Sequence, residues 1–71
     1  MNNLISPVTI IQHSMVFQRY LIHSDEMDFK ELQTLTGMDD ISFYMTIGYL
    51  LKEGKIIFFN GENGMRIRII T

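Results

Sequence analysis

The chain of 71 residues contains no cysteine. That absence excludes disulfides, thiolate catalysis and sulfur-ligated metal, and it suits a reducing cytoplasm. A surplus of positive charge is missing as well: six Lys and Arg stand against eight Asp and Glu, a formal net charge of -2. Domains that grip nucleic acid usually carry a basic surplus to neutralise phosphates. No apolar run approaches the roughly 18 residues of a membrane-crossing helix. The opening MNNLISP lacks the basic segment of a secretory signal, so a soluble, cytoplasmic protein without a membrane partner is expected. Internal repeats and low-complexity tracts are absent, and the short polar stretches at residues 24–26 and 60–64 read as turns rather than linkers.

What is present is apolar: 46% of the residues are hydrophobic. A chain of this length makes one small domain, spanning residues 1–71, near the lower size limit for folding without disulfides or metal. Its apolar content exceeds what one small core hides, which points to a homodimer as the source of remaining stability.

Ser6 followed by Pro7 marks a helix start, because a serine hydroxyl accepts an orphan amide and proline suits the first helical position. The helix runs to about His23. Val8, Ile10, Ile11, Met15, Val16, Phe17, Tyr20, Leu21 and Ile22 cover more than one amphipathic stripe, so two partners are expected: the domain's own core and a second subunit. Asp28, with Glu31 three residues later, starts a shorter helix whose apolar face is Phe29, Leu32 and Leu35 and whose stop is Gly37. Asp39 caps a third helix beginning near Asp40 and closed by Gly54. Only GMD separates the last two helices, the length of a helix-turn-helix junction.

Residues 56–59 and 65–70 read as strands around NGENG. Pairing Phe58 with Met65 and Ile56 with Ile67 places those four on one face and Lys55, Ile57, Arg66 and Arg68 on the other. An extended piece near Met27 is expected to add a short third strand.

The order helix, short strand, helix, tight turn, helix, hairpin resembles a winged helix-turn-helix domain, an α+β fold. The stretch TGMDDISFYMTIGYLLKEGKIIFF carries the resemblance, with Phe43, Ile47 and Leu50 at the buried positions of the third helix. IGYLLKEGKIIFF is similar to a family of very small bacterial winged-helix proteins with no assigned function. The resemblance implies a DNA-binding transcriptional regulator, whose third helix enters the major groove while the wing contacts phosphate. By position the nucleic-acid contacts would be Ser42, Tyr44, Met45, Lys52, Lys55, Arg66 and Arg68. The departure is that no common base-reading side chain stands among the leading exposed residues of that helix.

Each signal also has a plainer reading. Asp39 and Asp40 are a cap and a first-turn carboxylate, and they place negative charge where phosphate would approach. Arg66 and Arg68 are either an ordinary solvated strand face or contacts for nucleic acid or an acidic partner. Tyr44, Met45 and Tyr49 suit a protein contact or packing on the first helix. Gly48, inside a helix, implies either close helix approach or a groove-facing position. Ile57 and Phe59 lie on the hairpin's outer face, and with Ile10, Phe17 and Tyr49 they form the expected dimer or partner interface. His13 and His23 have no companions that would hold a metal, and their expected roles are surface or capping. GENG is a turn rather than a phosphate loop, and no catalytic triad, cofactor or small-molecule site is evident. The alternative to DNA binding is a winged-helix protein-interaction module or homodimer.

Overall fold

The computed structural model describes residues 5–70; residues 1–4 and 71 of the single domain expected over 1–71 lie outside the described residues. The element order is α1 (Pro7–Ser24), β1 (Glu26–Asp28), α2 (Phe29–Thr36), α3 (Asp40–Lys52), β2 (Ile56–Gly61) and β3 (Gly64–Ile69). The strands form one antiparallel sheet in the order β1-β3-β2. The short strand expected near Met27 is therefore present, and it pairs with β3 at the side away from β2.

Local chemistry sets each boundary. The Ser6 hydroxyl accepts the Thr9 amide at 3.2 Å ahead of Pro7. Asp28 Oδ2 accepts the Lys30 and Glu31 amides at 3.0 and 3.1 Å, and Gly37 ends α2 in the left-handed region at φ 70°. Asp39 Oδ1 accepts the Ser42 amide at 2.9 Å. At the far end of α3, the Gly54 amide donates to the Leu51 carbonyl at 3.1 Å and the Lys55 amide to the Leu50 carbonyl at 3.0 Å. That pair of bonds is a Schellman motif, and it requires the positive φ of 71° that Gly54 supplies without a Cβ penalty.

The core joins all three helices to the inner face of the sheet. Phe17 and Leu21 of α1, Leu32 of α2 and Phe43, Ile47 and Leu50 of α3 pack with Met27, Ile56, Ile67 and Ile69. The Phe43 ring lies 5.0 Å from Phe17 and 5.1 Å from Phe29, and Phe29 lies 5.4 Å from Phe58. Aromatic contacts thus tie the helices to the hairpin. Two polar residues sit in this packing, Ser14 and Thr46, and each donates its hydroxyl to a carbonyl of its own helix at 2.7 Å.

Several sequence expectations need correction. The hairpin register is shifted by two: Ile56 faces Ile69, Phe58 faces Ile67 and Asn60 faces Met65. β2 continues through Gly61, so the turn contracts to Glu62 and Asn63. A slip of two preserves the alternation of side chains, which is why the assignment of faces stands while the pairing does not. Met65 consequently lies toward the turn, half-buried and outside the core cluster. Leu35 is exposed rather than buried. Steps of three residues drift by about 60° around a helix, so Leu35 has rotated away from the side that Phe29 and Leu32 present.

Ile10 and Phe17 are also misplaced by the sequence reading, which assigns them to a partner interface. Phe17 has no exposed surface and Ile10 is buried, because their side of α1 is the one that meets the core. The helix instead leaves Val8, Ile11, Met15 and Ile22 facing outward.

Candidate functional site

Two surfaces gather the residues singled out by sequence. The first is the outer face of the sheet. Alternation along β3 brings Arg66 and Arg68 out together, and the β1 register places Glu26 opposite Arg68 and Asp28 opposite Arg66. Glu26 then bridges both arginines: Arg66 Nε donates to its Oε2 at 2.7 Å and Arg68 Nη2 to its Oε1 at 3.0 Å. Hydrogen bonds from Arg68 and Arg66 hold the Glu26 carboxyl below its usual range. The Arg68 guanidinium also lies 5.3 Å above the Phe59 ring, so Phe59 is half-buried beneath a cation, whereas Ile57 beside it is exposed. This surface is a compensated lattice of charge rather than an open basic patch. Among the described residues Lys55 and Lys52 make no ion pair, and both are exposed.

The second surface is the outward side of α3. Its first two turns present Ile41, Tyr44 and Met45, and Leu51 follows on the same side; each is between 42% and 65% exposed. Tyr44 leans on Phe29, with ring centroids 5.7 Å apart. Ser42 is half-buried: its amide is taken by Asp39 and its carbonyl accepts the Thr46 hydroxyl. The Ser42 amide and hydroxyl hold the Asp39 carboxyl below its usual range. Asp40, read as a first-turn carboxylate, additionally accepts Gln33 Nε2 at 2.7 Å and so fastens α2 to the start of α3.

Gly48 occupies the middle of this face. A Cβ built there meets nothing within 4 Å. Close approach of another helix of the same chain is therefore not the reason for this glycine, and its open side looks outward.

The two helices that border this face meet at a groove of about 380 Å³ lined by Ile5, Pro7, Ile10, Ile11, Met45 and Tyr49. Tyr49 is half-buried here and packs against the core. Through this groove the apolar side of α3 continues onto α1, where Ile11 begins an exposed row with Met15. Among the described residues no group of three His, Asp or Glu is arranged to hold a metal, and no helix is long and apolar enough to cross a membrane.

Two features escaped the sequence reading. Glu26 was legible in principle: if Met27 faces inward opposite Ile67, its neighbours must face outward beside Arg66 and Arg68. The outward row on α1 had a signal too, in the spacing of residues 8, 11, 15 and 22.

These elements define an α+β domain of three helices and a three-stranded antiparallel sheet. No family model, no curated protein and no solved structure matches the chain.

Proposed function

We propose that the chain is a cytoplasmic protein-interaction module built on a winged-helix framework, with the outward side of α3 as its docking surface. The framework reading is supported by the element order, the three-residue junction between α2 and α3, and a hairpin whose second strand pairs with a short strand ahead of α2. The observation that carries the interaction reading is the composition of the α3 face. Ile41, Tyr44, Met45 and Leu51 surround an unobstructed Gly48, where a reader of base edges would present arginine, lysine, asparagine or glutamine. Exposed apolar area of this kind, containing an aromatic and a methionine and carrying Lys52 one turn beyond Gly48, is typical of protein contacts.

The rival reading, a DNA-binding transcriptional regulator, draws on the framework alone. Of its phosphate contacts, Arg66 and Arg68 are engaged by Glu26, which leaves Lys52 and Lys55 against a net charge of -2. No enzymatic activity is proposed.

A labelled duplex titrated with the protein at about 50 and 200 mM salt tests the choice. The module reading expects no binding at tens of micromolar protein at either salt concentration. Binding that weakens steeply with salt and is lost in Arg66→Ala/Arg68→Ala would overturn it.

A further inference from the structure

We infer that the partner docked on this surface is a second copy of the chain, paired through an antiparallel α1–α1 contact with its two-fold axis at Met15. The inference rests on the reading of the α3 side as a protein-docking surface and names its occupant.

The outward row of α1 consists of Val8, Ile11, Met15 and Ile22, each between 45% and 65% exposed. Gln18 completes a spacing of three, four, three and four residues, the seam of a helix pair. Gln18, which is half-buried, brings no free amide to that seam, because its side chain already donates to the Ser14 carbonyl at 3.2 Å. The row is close to symmetrical about Met15. Reversed on itself, it sets Val8 against Ile22 of the partner subunit, Met15 against Met15 of the partner subunit, and Ile11 level with Arg19 of the partner subunit, next to Gln18.

Charge selects the direction. α1 carries Arg19 and no Asp or Glu. A parallel pairing would stack Arg19 on its own copy. The antiparallel pairing separates the two by eight residues, about 12 Å along the axis at 1.5 Å per residue, which exceeds the Debye length of about 8 Å at physiological salt.

Area argues for including α3. The four outward side chains of α1 expose on the order of 100 Å² each, about half of what a stable pairing buries per partner. Ile41, Tyr44, Met45 and Leu51 expose a similar amount on α3, with Met45 nearest α1, so the two helices together offer about 800 Å² on each copy, the usual scale. In the reversed pairing Ile22 of the partner subunit comes level with Val8, beside the groove between α1 and α3, where an apolar side chain would be buried by Ile11 and Met45.

Sedimentation of the full chain tests this. The expected particle has twice the 8.3 kDa chain mass. Met15→Glu should weaken the dimer by roughly a hundredfold by setting like charges together at the axis, with the far-UV circular dichroism of the monomer unchanged because Met15 is exposed. Met15→Cys, the only thiol in the chain, should cross-link to a covalent dimer with a short bismaleimide, whereas Ile57→Cys should not. A single-chain particle at several hundred micromolar protein would overturn the inference. So would a dimer that survives Met15→Glu and cross-links through Ile57→Cys, since that places the contact on the sheet. A monomer that also ignores duplex DNA removes the second copy and leaves the module reading standing; salt-dependent duplex binding removes the module reading itself.

Discussion

Glu26 stands directly opposite Arg68 in the β1–β3 ladder, and its carboxylate accepts the Arg68 guanidinium at 3.0 Å. The second carboxylate oxygen takes Arg66 Nε, two residues along the same strand, at 2.7 Å. A single acid on a three-residue strand therefore engages both arginines of the outer sheet face.

Glu26→Gln is expected to expose that dependence. The amide keeps the shape of the side chain but releases both guanidinium groups from their counter-ion, so the outer face gains positive potential. Duplex DNA or heparin binding at about 50 mM salt should appear in this variant and be lost again in Glu26→Gln/Arg66→Ala/Arg68→Ala. Equal behaviour of Glu26→Gln and the parent protein would show that the arginines are not held in reserve.

Acid should destabilise the fold in a defined window. The carboxyls of Glu26 and Asp39 are more acidic in the folded chain than their ordinary values of 4.5 and 3.8. The unfolded chain therefore binds protons more readily over this range, and the stabilisation is complete above the ordinary values and lost as pH falls through the lower folded ones. Thermal midpoints measured from pH 7 to pH 3 should fall mainly below about 4.5, with a shallower fall in Glu26→Gln.

Gly48→Ala should separate stability from association. With open space around the position, alanine adds about 1 kcal/mol of helix stability. For a domain of this size that raises the thermal midpoint by roughly 4–8 °C, read at protein concentrations low enough to exclude self-association. The same methyl stands on the proposed docking surface, and weaker self-association in sedimentation is the expected counterpart.

Gly61→Ala should destabilise, chiefly through Arg66, with the Gly64 carbonyl oxygen at 3.2 Å as a lesser contact. A Cβ there falls 2.6 Å from Arg66 Cδ and 3.0 Å from its Cγ, and Arg66 is not free to move aside while Glu26 holds its guanidinium. A cost of about 1–2 kcal/mol is expected, as for other overpacked sites. In an Arg66→Ala background most of that cost should vanish, and additivity of the two substitutions in a double-mutant cycle would refute the contact.

The elements were legible in the sequence because their ends are written in local chemistry: Ser6, Asp28 and Asp39 cap, and Gly37 and Gly54 stop. The hairpin register was not, because a slip of two residues keeps the same side chains on each face, so alternation does not distinguish the two pairings. The apolar residues of α1 posed a different difficulty. When hydrophobic residues cover more than one stripe, periodicity establishes a helix but not which side meets the core, so Phe17 and Ile10 fit an outward side in the sequence as well as an inward one. Arg66 and Arg68 were found, yet their neutralisation was not, since it comes from a strand only three residues long.

The order of the sheet bears on how the chain acquires its structure. β3 is the central strand, and its partners β1 and β2 cannot join without it. The contact between Glu26 and Arg66 spans 40 residues, so β1 remains an unpaired segment until residues 64–69 have been synthesised. Before that point α1 and α3 can pair Phe17 with Phe43, whose rings lie 5.0 Å apart, but Met27 has no Ile67 beside it. Formation of the sheet is accordingly deferred to the completion of the hairpin.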